Sequence, residues 1–325
     1  MKRAVLVIAL LILACARKAP PPNPDRFPPH LTEIQPVNRN RVDLIFDEAI
    51  QQTGVSANDF AILTARGETL KLLTVSGGMD AATLSLLTEQ QAAQKYTLTG
   101  QAHDRAGNPT RFTRNFFGSI RQDTVGPSVN SVSPRAFTTG LRRNVTITVA
   151  FSKPIDTLTL HEVWILPPAL SARFKREWDA ALSAVRFRLA DSLGPDTTVT
   201  FILPPYIKDF VGNRLDHAAF TAFRTDTTAL PRVVQGRLEV GDKPVADGYL
   251  VLAETLPALA VLSRSDGSFS LRVRKQSYSV TALTDTNRDG IVDLSAFRPG
   301  AELPDTLVMK LAADTTGKRV QSFFR

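Results

Sequence analysis

Asp285, Asn287, Asp289 and Asp293 fall at places one, three, five and nine of a nine-residue run, with Gly290 at the sixth place and Ile291 at the seventh. Alternate residues can turn their oxygens inward, glycine permits a sharp turn, and the Ile291 carbonyl extends an oxygen set that suits calcium. The twelfth place, where a bidentate glutamate would close the shell, holds Ala296, and Glu302 is the nearest substitute. Two readings follow: a weak structural Ca2+ loop, or an ion-free turn rich in Asp and Asn. Extracellular modules use calcium at about 10⁻⁴–10⁻³ M to stiffen such loops.

Other reactive groups are sparse. Asp47-Glu48 has the makings of a general acid–base pair. The histidines are His30, His103, His161 and His217. None forms His-Glu-X-X-His, and neither Gly-X-Ser-X-Gly nor a phosphate-binding Gly-rich loop occurs. Trp164, Trp178 and four tyrosines leave little for a sugar-stacking platform. Arg173 to Trp178 is a basic-aromatic stretch that reads as an edge strand with solvated charges. No catalytic residue and no cofactor are expected, so the chain reads as a non-enzyme.

Cys15 is the only cysteine, which excludes a disulfide scaffold and a Cys-based metal centre. It follows Lys2-Arg3 and 11 residues without a polar side chain, Ala4 to Ala14, the pattern of a signal peptide and too short for a membrane span. Ile12-Leu13-Ala14-Cys15 resembles the lipobox of bacterial lipoproteins, with Leu13 bulkier than usual at its place. The resemblance implies cleavage before Cys15 and a membrane-lipid partner through the acylated thiol, since two or three acyl chains anchor stably where one does not. The plainer alternative is an ordinary signal peptide with an incidental cysteine. Ala16 rather than Asp follows the cysteine, which among such lipoproteins favours the outer membrane if the cell has one. Arg17 to Pro29 is rich in proline and reads as a semi-rigid tether.

The chemistry must be positioned by the remaining chain. With 325 residues, 43% hydrophobic and 22% charged, it has the composition of packed domains rather than a disordered or polytopic membrane protein. The formal charge of +8 is scattered, and supports only weak attraction to anionic surfaces. A repeat runs through the middle. Phe46 and Phe151, Ile50 and Ile155, and the loops Asp104-Arg105-Ala106-Gly107-Asn108 and Asp209-Phe210-Val211-Gly212-Asn213 are each 105 residues apart. The same offset sets Asp47-Glu48 against Ser152-Lys153. A position that swaps charge between copies is not shared catalytic machinery.

Each copy consists of alternating segments such as Val42/Leu44/Phe46 and Val145/Ile147/Val149, which predict strands with one buried face. The lead-in Asp123-Thr124-Val125-Gly126-Pro127, the Phe-Ser/Asp strand ending, the Tyr96-Thr97-Leu98 type of strand and the Asp-X-X-Gly-Asn loop resemble SbsA-type bacterial Ig-like domains. The first copy departs mildly, since Thr32-Glu33-Ile34 lacks the usual Asp-X-X-X-Pro-Pro entry. Both Asp-X-X-Gly-Asn loops are read as structural turns, since Gly takes positive φ cheaply and Asp caps its own backbone.

From Pro231 the pattern changes. Asp266-Gly267-Ser268-Phe269 followed by Tyr278-Ser279-Val280 resembles the carboxypeptidase-regulatory-like, prealbumin-type module, which implies an accessory β-sandwich rather than a hydrolase. The expected organisation is all-β: signal peptide 1–14, tether 15–30, Ig-like domains 31–120 and 121–227, a prealbumin-like sandwich 228–313, and a tail 314–325. Short linkers imply abutting units. The expected function is a lipid-anchored cell-envelope spacer or interaction scaffold with an unidentified envelope protein or polysaccharide as partner. The alternative is a carbohydrate- or protein-binding adhesion module. Nucleic acid is not expected.

Overall fold

The structure, a computed structural model, describes residues 25–78, 80–160, 163–228, 230–254 and 257–325. The signal segment, Cys15, most of the tether and His161 lie outside the described residues.

Val42, Leu44 and Phe46 recur at every second residue, so an extended chain turns all three to one face. They lie on strand Arg41–Phe46 and are at most 3% exposed. It sits inside a four-stranded antiparallel sheet, ordered Leu31–Asn38, Arg41–Phe46, Thr83–Thr88, Leu72–Gly77. A second sheet, ordered Phe60–Thr64, Lys95–His103, Pro109–Phe117, contributes Ile62, Tyr96, Leu98 and Phe116 to the same core. The turn near Ser56 is a short 3-10 helix, Ala57–Asp59, with Ser56 and Asp59 capping each other's backbone.

The next unit repeats this order. Val129–Ser133, Thr146–Phe151, Ala184–Leu189 and Phe174–Trp178 form one sheet, and Trp164–Leu166, Thr198–Leu203 and Ala219–Arg224 the other. The repeat is therefore structural as well as sequential: Ile147, Val149, Phe151 and Ile155 are buried at the places of Val42, Leu44, Phe46 and Ile50. Even the isolated bridges agree, Ile50 with Asp104 and Ile155 with Asp209. Each fully buried Val, Leu or Phe contributes roughly 1.5–3 kcal/mol, so a sandwich with this core needs no disulfide.

The third unit pairs two further sheets. One is ordered Lys243–Pro244, Arg232–Val240, Ser268–Val273, with Thr306–Lys310 running parallel to Arg232–Val240. Gly236 lies where Thr306–Lys310 approaches, and a Cβ there would meet the Leu307 carbonyl oxygen at 1.9 Å. The other sheet is ordered Pro257–Leu262, Tyr249–Ala253, Ser277–Thr284, Leu294–Glu302, Ala312–Ala313.

The units abut by different chemistry. The first meets the second through a polar contact, Thr74 Oγ1 donating to the Ala180 carbonyl at 3.0 Å; within the first unit, buried Asp43 accepts from Arg41 and Ser85. A cavity of about 330 Å³ opens beside them, lined by Arg41, Ser85, Asn130 and Lys153 among others. The second meets the third through an apolar core of its own. Trp164, Leu166 and Ile202 pack against Tyr249, Val251, Ala260, Leu262 and Leu283. Thr198–Leu203 and Tyr249–Ala253 are consequently buried on both faces; Phe201-Ile202-Leu203 and the whole of Tyr249–Ala253 are apolar without alternation. Residues 314–325, a tail by sequence, turn into a 3-10 helix, Val320–Phe324, whose Val320 and Phe324 enter this core.

Candidate functional site

The calcium-like loop connects strands Ser277–Thr284 and Leu294–Glu302. Gly290 has φ of 89°, as its sharp turn requires. Asp285 accepts from the amides of Asp289 (3.1 Å) and Gly290 (2.7 Å), Asn287 from Asp289 (2.9 Å), and Asp289 from Ile291 (2.7 Å). Asp293 accepts from the Thr286 hydroxyl and amide, which hold its carboxyl below the usual carboxylate range against the opposing effect of burial. The structure thus brings Asp285, Asn287, Asp289 and Asp293 into one turn, and leaves Ala296 on the following strand. Glu302 is engaged elsewhere, accepting from Arg232 at 2.8 Å.

The loop is pinned to the second sandwich, which the sequence did not reveal. The Tyr206 hydroxyl donates to Asp285 at 2.7 Å. Arg288 donates to the carbonyls of Leu215 (3.0 Å) and Asp216 (2.6 Å), while Arg214 donates to the Arg288 carbonyl. His217 and Asp247 meet across the same junction at 2.7 Å.

The paired Asp-X-X-Gly-Asn loops do the same work twice. Asp104 accepts from the amide and side-chain nitrogen of Asn108, both at 2.7 Å, and Asn108 donates on to the carbonyls of Asp25 and Phe27. Asp209 likewise accepts from Asn213, which donates to the carbonyls of Asp123 and Val125. Each loop therefore clamps the segment leading into its own sandwich, which corrects the sequence reading: Asp25-Arg26-Phe27-Pro28-Pro29, expected to be tether, is the lead-in the first copy was expected to lack, held as Asp123 to Pro127 is. Burial raises the Asp104 carboxyl, yet the hydrogen bonds from Asn108, Gly107 and Ala106 outweigh it and hold the group below its ordinary value.

The third member of each clamp differs. In the second sandwich the Lys153 ammonium lies 2.8 Å from Asp123, 3.0 Å from Asp209 and 2.6 Å from the Val125 carbonyl. In the first, Glu48 takes that place, and the carboxylate oxygens of Asp25, Glu48 and Asp104 lie within 4.8 Å of one another. The neighbouring Asp47 is 3.1 Å from His30, outside this group. Glu48 stood out in the sequence only as half of an acidic pair; its partners come from segments 23 residues before and 56 after.

Strand Phe174–Trp178 lies at a sheet edge with Lys175, Arg176 and Glu177 exposed, and Trp178 stacks on Phe151.

With this geometry in place, comparison with known proteins becomes informative for the second unit. Residues 123–225 match the bacterial Ig-like domain family. The first unit has the same strand order and the same buried positions, so the two form a tandem of that fold. No curated protein matches the chain. Among solved structures, the N-terminal part of the bacterial S-layer protein SbsC aligns at 12% identity and a TM-score of 0.27 over 61% of this chain. The chain spans 44% of that protein's length. Domains 1–6 of surface layer protein SbsC align at 8% identity and a TM-score of 0.27, covering 90% of this chain and 58% of that one. Latent PorU from Porphyromonas gingivalis aligns at 12% identity and a TM-score of 0.31, over 86% of this chain and 33% of its own. Likeness at this level carries no functional argument.

Proposed function

We propose that the chain is a non-catalytic lipoprotein of the cell envelope, in which tandem Ig-like sandwiches and a prealbumin-type third sandwich hold a fixed spacing from the membrane. The observation that carries this reading is the apolar core shared by the second and third sandwiches. A core of this kind resists bending, which a spacer or scaffold needs and an independent string of modules does not provide. Among the described residues no helix is long and apolar enough to cross a membrane. The attachment assigned here is lipid on Cys15, supported by the Ile12-Leu13-Ala14-Cys15 sequence and the proline-rich tether after it. Ala16 favours the outer membrane where the cell has one. The partner is an envelope protein or polysaccharide.

The carboxylates of Asp104 and Asp209 orient Asn108 and Asn213, whose side chains hold the neighbouring backbone, which supports a structural rather than a catalytic role. The Asp285–Asp293 loop is proposed as a weak calcium loop, because the amides of Asp289, Gly290 and Ile291 already orient the oxygens of Asp285, Asn287 and Asp289. Membrane fractionation tests the anchor. Cys15→Ser should move the chain from the detergent-soluble membrane fraction to the soluble one; a variant that still pellets with membranes refutes it.

A further inference from the structure

The two Ig-like sandwiches use one device with opposite charge. In the second, a cation closes the clamp: two carboxylates, Asp123 and Asp209, and the Val125 carbonyl converge on the Lys153 ammonium. In the first, the equivalent groups are all present. Asp25 stands for Asp123 and Asp104 for Asp209. Phe27 offers the carbonyl of Val125, as the matching Asn108 and Asn213 hydrogen bonds show. The ammonium alone is missing, and a third carboxylate, Glu48, stands in its place.

We propose that Asp25, Glu48, Asp104 and the Phe27 carbonyl bind a calcium ion, which clips the lead-in segment to the first sandwich as Lys153 clips it in the second.

In the second copy the matching frame surrounds a cation, the Lys153 ammonium. Replacing its lysine by glutamate turns two carboxylates and one ammonium into three carboxylates, and like charges so close disfavour one another unless a cation joins them. All donors are hard oxygens. A calcium sphere with bonds of about 2.3–2.6 Å spans roughly 5 Å, so oxygens within 4.8 Å of one another fit a single shell. Magnesium demands a tighter, near-ideal octahedron, which donors from three separate segments and a backbone carbonyl suit poorly. The consequence is regional: the chain arriving from the tether is secured by calcium, while the junction to the second sandwich is secured by a built-in lysine.

The Arg26–Phe27 bond lies inside the clip, and Arg26 is exposed, so trypsin reports its opening. The full chain carrying Asp289→Ala, which silences the other loop, is digested in 10 mM calcium or in EDTA. Cleavage at Arg26 is followed by mass spectrometry against a reference peptide. With Kd of about 1 mM, typical of extracellular sites, calcium should slow this cleavage about tenfold. Glu48→Gln should lose most of that protection. Glu48→Lys, which installs the second copy's cation, should be cut slowly with or without calcium. Equal rates in both conditions, or full calcium protection of Glu48→Gln, would overturn the proposal. So would Glu48→Lys being cut faster in EDTA than the chain with Glu48.

Discussion

Phe324 stacks on Trp164, with ring centroids 4.3 Å apart and planes 13° from parallel. Trp164 belongs to the second sandwich, and Phe324 reaches it from the helix that follows the third. Tyr249 closes the cluster edge-on to both rings, at 5.5 and 5.6 Å. One aromatic group thus spans the two units within the apolar core that their sheets share.

Truncating that stack should uncouple the units. Phe324→Ala removes a ring that is 3% exposed, a loss of about 3–5 kcal/mol for a core phenylalanine. Chemical denaturation should show the second and third sandwiches unfolding in separate transitions, with Trp164 emission shifting to the red in the first. An unchanged midpoint and a single transition would show that the contact couples nothing.

Acid should destabilise the fold through carboxylates that hold turns together. Asp59 accepts from the Gln101 side chain and then the Ser56 amide, Asp266 from Ser268, and Asp314 from Thr316 and then Ser295; all three lie below the ordinary carboxylate value. A depressed folded-state pKa contributes stability that is fully present above the unfolded value, about 3.9, and is lost as pH falls through the folded one. Melting temperature should therefore be level above about pH 5 and decline below about pH 4. A decline that begins near pH 6 would assign the effect to other groups.

Much of this fold was legible because alternation reports burial on one face. The positions of Val42, Leu44 and Phe46 and their repeats 105 residues later identify the sandwich strands and the duplication without any structure. Alternation is silent about what covers the other face. Phe201-Ile202-Leu203 and Leu250-Val251-Leu252 are apolar without a break because a neighbouring unit lies on their outer side, and that continuity was the available signal. Phe324 sits in a polar stretch, where nothing local shows that it docks. The clamps were readable as turns from Gly107 and Gly212, both at positive φ. Their third members were not, since Glu48 and Lys153 acquire meaning only when Asp25 and Asp123 fold back beside them.

The loop at Asp285–Asp293 makes a separate prediction. In a Glu48→Gln background, 10 mM calcium acting on a site of about 1 mM Kd should raise the melting temperature by about 2–5 °C over EDTA. Adding Asp289→Ala should abolish the rise. Identical midpoints in calcium and EDTA before that substitution would leave the loop as an ion-free turn.

The central claim is that the second and third sandwiches form one rigid piece, and a distance measurement addresses it most directly. Spin labels placed by Lys175→Cys and Lys310→Cys in a Cys15→Ser chain sit on exposed strand positions of the two units. Pulsed dipolar spectroscopy should give a single narrow distance distribution, which broadens when Phe324→Ala is added. A broad or multimodal distribution with Phe324 intact would contradict the account.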